Sequence, residues 1–214
     1  MSVLINDTEA RVLGSLVEKQ LTTPEYYPLT LNALTAACNQ KSNREPVMSL
    51  GETEILAAID SLREKNLVYL FYGSSSRTVK YKHMLPGVFE IEPPAVAVMA
   101  LLLLRGPQTL GELRGRSDRL YEFSGLDEVQ QTLDELAGRN EPLVLKLERQ
   151  PGQKEARYSH LLSGNIEPDL RERPVKGRTP PSHHESDPSA EIKRLSEELA
   201  AFRAEFEEFK KQFE

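Results

Sequence analysis

Along residues 50–65 the apolar side chains Ile55, Leu56, Ile59 and Leu62 recur at steps of three and four, which predicts an amphipathic helix. Ser49 and Glu52 stand in the S-x-x-E arrangement that caps first-turn amides. Residues 67–72 and 78–83 are rich in aromatic and β-branched side chains and flank Gly73-Ser74-Ser75-Ser76-Arg77, so they predict a hairpin. This pattern occurs twice. Gly51, Glu54, Ile55, Ile59, Asp60 and Leu62 return 74 positions later as Gly125, Glu128, Val129, Leu133, Asp134 and Leu136, and Tyr81-Lys82-His83-Met84-Leu85 returns 77 positions on as Tyr158-Ser159-His160-Leu161-Leu162. Two matched anchors at nearly one offset predict a duplicated domain.

Two helical segments precede each helix and hairpin. In the first copy, Asn6 or Asp7 caps a helix with the stripe Ala10, Leu13, Leu16 and Val17. Pro24 and Pro28 predict an extended connection, a second helix covers about 29–38, and a polar turn follows over 39–46. The second copy opens with Pro93-Pro94 and a segment, 95–104, that is apolar on nearly all sides, as expected of a helix packed between the two domains. Thr109 and Glu112 form a capping box, Arg114, Arg116 and Arg119 precede the third helix, which begins near Gly125, and residues 143–148 pair with 155–160 as a second hairpin. The order helix, helix, helix, strand, strand predicts an α+β, mostly helical chain of two tandem winged helix-turn-helix domains, residues 1–86 and 87–163. Over 164–189 prolines and charges replace the apolar pattern, predicting a disordered linker. The last segment, 190–214, carries Ile192, Leu195, Leu199, Phe202, Phe206, Phe209 and Phe213 at alternating steps of three and four, the seam of a coiled coil. Glu198 opposite Arg203 and Glu205 opposite Lys210 favour a parallel homodimer, the alternative being a single helix that folds back on its own domains or docks its phenylalanines elsewhere.

The strings EKQLTTPEYYPLTLNAL and ACNQKSNREPV, together with the duplicated helix and hairpin, resemble the YceH family of bacterial proteins. The resemblance covers roughly residues 5–163 and implies a pair of winged helices and a bacterial source. It brings no activity and no site residues with it.

Composition narrows the classes. The 214-residue chain carries a net charge of −6, with nine basic and nine acidic side chains in residues 1–86 and nine against twelve in 87–163. Neither domain has the overall basic excess that announces a polyanion partner. The longest apolar run, 95–104, is half of a membrane span, and no signal segment is evident, so no membrane association and a cytoplasmic location are expected. The single Cys38 excludes an internal disulfide and reads as a buried thiol; His83, His160, His183 and His184 lie at no ligand spacing, so no metal and no cofactor are expected.

No nucleophile elbow, phosphate loop or zinc-protease motif is present, which points away from an enzyme. Two binding readings remain. Helix three of a winged helix usually enters the major groove, but the outward residues here are acidic: Glu54, Asp60 and Glu64 with Thr53, Ala57 and Ser61 in the first domain, and Asp127, Glu128, Asp134 and Glu135 with Gln131 in the second. Carboxylates are repelled by phosphates. Basic and amide side chains lie instead in the turn, at Asn39, Gln40, Lys41, Asn43 and Arg44, and in the wing, at Arg77, Lys80 and Lys82. Double-stranded DNA gripped by turn and wing is the first expectation. The bland counterpart is a structural turn and lysines that shield an edge strand. The second expectation is a protein-interaction adaptor docking through the acidic helix-three faces, in keeping with a pI near 5.4.

Overall fold

Asn6 begins the first helix by a reciprocal cap. Its side chain accepts from the Glu9 N–H at 2.9 Å while Glu9 Oε2 accepts from the Asn6 N–H at 2.8 Å. The helix, α1 (Asp7–Thr22), buries the expected stripe of Ala10, Leu13, Leu16 and Val17. The computed structural model describes residues 4–73, 78–149 and 152–164, all within a unit spanning residues 1–169. The linker and the heptad segment, from 165 to 214, and Arg77 in the first hairpin loop lie outside the described residues.

After α1 comes a 3₁₀ turn, Pro24–Tyr26, where an extended connection is expected. Proline at its first position already has a helical φ, so a short turn is as compatible with it as an extended chain. Strand β1 (Leu29–Thr30) follows, and Thr30 then caps α2 (Leu31–Cys38). The second helix therefore starts two residues later than its apolar pattern suggests, because Leu29 is spent on a strand. Helix α3 (Glu52–Glu64) is capped at Gly51, whose N–H donates to Glu54 Oε2 at 2.8 Å; the Ser49–Glu52 box does not form. Ile55, Ala58, Ile59 and Leu62 are its buried stripe, and Leu56 is 38% exposed. Ala58 replaces Leu56 because the inward face is set by Ile55 and Ile59, and 56 falls off it by a full step.

Strands β2 (Val68–Phe71) and β3 (Lys80–His83) form the hairpin, and β3 also pairs with β1 through Leu29↔Tyr81, giving an antiparallel sheet of order β1-β3-β2. A short helix, α4 (Leu85–Phe89), leads to α5 (Pro93–Arg105), β4 (Gln108–Thr109), α6 (Leu110–Ser117), α7 (Leu126–Ala137), β5 (Val144–Lys146) and β6 (Arg157–His160). The second sheet has order β4-β6-β5, with Gln108↔Tyr158 in the place of Leu29↔Tyr81. The fold is thus α+β, with seven α-helices among the described residues and one unit repeated in order and register. Two-residue strands leave no period to read, which is why β1 and β4 are absent from the sequence pattern. The Thr109–Glu112 capping box forms as expected.

The two repeats share one hydrophobic core. Every residue of α5 from 95 to 104 is buried, and the helix packs against α1 as well as against α6 and α7. At Gly14 there is no room for a side chain, since an added Cβ would stand 2.9 Å from Leu104 Cγ and 3.0 Å from Leu103 Cβ. Two backbone bonds fasten the repeats further, Ile5 N–H to Leu162 O at 2.7 Å and Glu45 N–H to Leu104 O at 2.9 Å. Among the described residues no helix is long and apolar enough to cross a membrane.

Candidate functional site

The polar turn after α2 is held from inside. Arg44 is only 4% exposed; its Nη1 and Nη2 donate to the two Glu18 carboxylate oxygens at 3.2 and 2.7 Å, and Nε and Nη2 donate to Ala37 O at 3.1 and 2.8 Å. Burial by itself raises the Glu18 carboxyl, but the hydrogen bonds and charge of Arg44, with Lys19, hold it below its ordinary value. Asn39 is committed as well, accepting from the Leu50 N–H at 2.7 Å and donating to Leu50 O at 2.8 Å. Gln40 Oε1 accepts from Lys19 Nζ at 3.3 Å and from Arg44 Nη2 at 3.2 Å. Asn43 sits at φ 58° and accepts from Arg105 Nη2 at 2.7 Å. Of the five turn residues expected to meet phosphate, Lys41 alone is exposed with no partner recorded among the described residues. Arg44 is a buried staple between turn and α1, and its guanidinium faces a carboxylate it cannot leave without exposing a buried charge.

The hairpin is different. Lys80 and Lys82 lie on the solvent side of β3, between the inward-facing Tyr81 and His83, and Lys82 is exposed. The register sets Phe71 opposite Lys80 and Tyr69 opposite Lys82, and Phe71 and Tyr69 are 42% and 62% exposed. The strand carrying the lysines is the central one of its sheet, so shielding a free edge is not their task.

On the helix faces Glu54, Asp60, Glu64, Asp127, Asp134 and Glu135 are exposed, as the spacing predicts. Several are engaged locally. Glu54 caps α3, Asp60 accepts from Arg63 Nη1 at 2.9 Å, and Glu128 accepts from the Ser124 N–H at 2.7 Å and Ser124 Oγ at 2.8 Å. These Ser124 contacts hold the Glu128 carboxyl below its usual value. No group of three or more His, Cys, Asp or Glu side chains able to hold a metal occurs among the described residues. Cys38 is fully buried, and burial pushes its thiol up.

Where the turn meets the second repeat, a cleft of about 510 Å³ opens, lined by Lys19 of α1, Gln40–Asn43 of the turn, Leu101 and Leu104 of α5, and Arg116, Arg119 and Leu120. Sequence reasoning placed Arg116 and Arg119 before the third helix of their own repeat and did not bring them to the first. The signal was within reach, since the apolar α5 predicts that the repeats pack together.

These features define a class: among the described residues, an α+β protein of one repeated unit, with two three-stranded sheets and a shared core. The chain belongs to the DUF480 family, described as proteins of unknown function, whose model matches residues 5–153. It is 50% identical over 220 residues to a "UPF0502 protein" of Pelobacter propionicus, across the full length of both chains. It is 56% identical over 170 residues to one of Geobacter sulfurreducens, covering 79% of this chain and 76% of that one. A Burkholderia pseudomallei relative is 50% identical over 200 residues, 92% of this chain and 83% of the relative.

Proposed function

We propose that the protein is a non-catalytic, cytoplasmic DNA-binding regulator whose two repeats are winged helices, and that duplex DNA is held by the wing of the first repeat. The observation that supports this is the register of β2 and β3, which sets Lys80 and Lys82 on one open face with Tyr69 and Phe71 opposite them. Two cations at alternate strand positions project to the same side and suit successive phosphates, while the aromatic rings supply flat apolar contact to sugar edges. Lys41 extends the positive surface from the turn. The acidic faces of α3 and α7 keep the usual groove-entering helix away from phosphate, so the grip depends on the wing.

Affinity for mixed-sequence duplex DNA, measured from about 50 to 200 mM salt, tests the reading. A Lys80→Ala, Lys82→Ala double variant is expected to shallow the salt slope by roughly two units, since each phosphate contact contributes about 0.9. Absence of binding at the low-salt end, or equal slopes, ends it.

A second reading, a protein-interaction adaptor, has one observation in its favour: Leu56 is exposed beside Asp60, Glu52 and Thr53 on the outer face of α3. An apolar anchor within an acidic rim suits a basic, apolar peptide. Leu56→Ala, Asp60→Lys and Glu64→Lys together abolish partner capture on this reading, and Glu54 is spared because it caps the helix. The heptad segment is assigned by its sequence to a parallel homodimer, which deletion of residues 190–214 should convert to a monomer in sedimentation.

A further inference from the structure

Apart from Lys41, the cleft between the repeats has a composition that the DNA reading does not use. Its cations come from both repeats, Lys19 and Lys41 from the first, Arg116 and Arg119 from the second. The one carboxylate in its lining is Glu18, which is neutralised by the two hydrogen bonds from Arg44. Lys41 and Arg119 are both exposed, and neither has a hydrogen-bond or ion-pair partner recorded among the described residues. Arg105 stands nearby, bonded to Asn43 of the lining. Its Nε is buried without a hydrogen bond, and burial, then the like charge of Arg116, lower its proton affinity. Lys19 is paired with Glu18 at 3.3 Å and Arg116 with Glu112 at 3.2 Å, so the lining charge left unbalanced is that of Lys41 and Arg119. Leu101, Leu104 and Leu120 give the same cleft an apolar wall, and Gln40 and Asn43 add amides.

We propose that this cleft binds a nucleoside polyphosphate. Lys41 and Arg119 reach the phosphate chain from opposite repeats, the leucines cover a face of the base, and the volume of about 510 Å³ lies within the range of small-ligand sites. A free arginine offers a planar fork to phosphate oxygens and a free lysine a compact charge, so together they suit a multiply charged anion. Because the ligand touches both repeats, its binding adds to the contacts that fasten them.

The test uses the full chain, magnesium-free ATP and inorganic tripolyphosphate as probes, and isothermal titration at about 50 and 200 mM salt. Expected are saturable binding of one ATP per chain, weaker at the higher salt, tripolyphosphate bound at least tenfold more weakly than ATP, and a loss of tenfold or more in a Lys41→Ala, Arg119→Ala variant. An Arg63→Ala, Lys154→Ala variant loses the same net charge elsewhere and should bind ATP as the wild type does. All four substitutions are at exposed positions, and circular dichroism confirms folding of each variant. Failure of the wild type to bind ATP at millimolar concentration overturns the proposal, as does equal loss in both variants, which would reduce the effect to net charge. Tripolyphosphate binding as tightly as ATP overturns the nucleoside assignment. A short DNA duplex that binds through Arg119 when ATP does not would transfer the cleft to nucleic acid and equally refute it. The wing variant Lys80→Ala, Lys82→Ala addresses different residues, so either proposal can fail alone.

Discussion

His83 and His160 end the central strands of their sheets at equivalent places, and both are buried as neutral imidazoles. Burial lowers each to about 4 from an ordinary 6.5, helped at His83 by the charge of Lys82 and opposed at His160 by Asp7. At His83 the hydrogen bonds explain the preference: Nδ1 accepts from the Leu85 N–H at 3.3 Å, which leaves the proton on Nε2, facing Gln20 Oε1. A second proton on Nδ1 would point at that N–H. With the folded value depressed, the unfolded chain binds more protons between pH 4 and 6.5, so the contribution is present in full above about 6.5 and is lost as pH falls through that window. Urea unfolding at intervals from pH 7 to 4.5 should show stability declining by up to about 1.4 kcal/mol per pH unit for each histidine. His83→Gln with His160→Gln should flatten the decline. An unchanged slope in that variant removes the histidines as its cause. The depressed carboxylates, Glu9, Glu18, Glu112 and Glu128, start from an ordinary 4.5 and add to the decline below about pH 5.5, so the histidine effect is read between pH 7 and about 5.5.

Among the elements, α1 and α5 decide how the repeats join. Glycine inside a helix costs up to about 1 kcal/mol relative to alanine, so propensity alone predicts that Gly14→Ala stabilises α1. The packing reverses the sign. A Cβ there meets the branch carbon of Leu104 and the Cβ of Leu103, atoms close to the α5 backbone that move only if the helix moves. Gly14→Ala is therefore expected to destabilise by about 1–3 kcal/mol in denaturant unfolding, and Gly14→Val by more. A neutral or stabilising alanine would mean that the helices separate at little cost. The apolar face of α1 and the all-round apolar α5 were legible in sequence spacing. The role of Gly14 was not, because a missing side chain has no period.

On the scale of the whole molecule, a shared core makes the repeats one folding unit. Residues 1–90 alone would leave the side of α1 that meets α5 facing water, and Glu45 would lose its bond to Leu104. That fragment is expected to lack a cooperative thermal transition, while residues 1–164 unfold in a single step seen alike by far-ultraviolet circular dichroism and tyrosine fluorescence. A sharp transition in the short fragment near that of the longer one would show that each repeat stands alone. The same fusion explains the candidate sites. The first hairpin lies within one repeat, so Lys80 and Lys82 could be placed from alternation along a strand. The cleft needs both, and its members lie about 80 residues apart in sequence.

What the sequence determined by itself is whatever repeats or alternates: the duplicated unit, most of the inward stripe of the helices, the hairpins, the Thr109 cap and the outward lysines. These follow from local periods and from side chains that satisfy neighbouring amides, and neither needs a distant partner. Tertiary structure alone decided the fate of the polar turn. Asn39, Gln40, Lys41, Asn43 and Arg44 look alike in a list of hydrogen-bonding residues, yet Arg44 is buried on Glu18, Asn39 holds Leu50 and Asn43 holds Arg105, while Lys41 faces the cleft. Whether a polar side chain serves the fold or a ligand depends on what stands opposite it. That is set by the packing of α1 against α5, a contact between segments some 80 residues apart whose geometry no local pattern encodes.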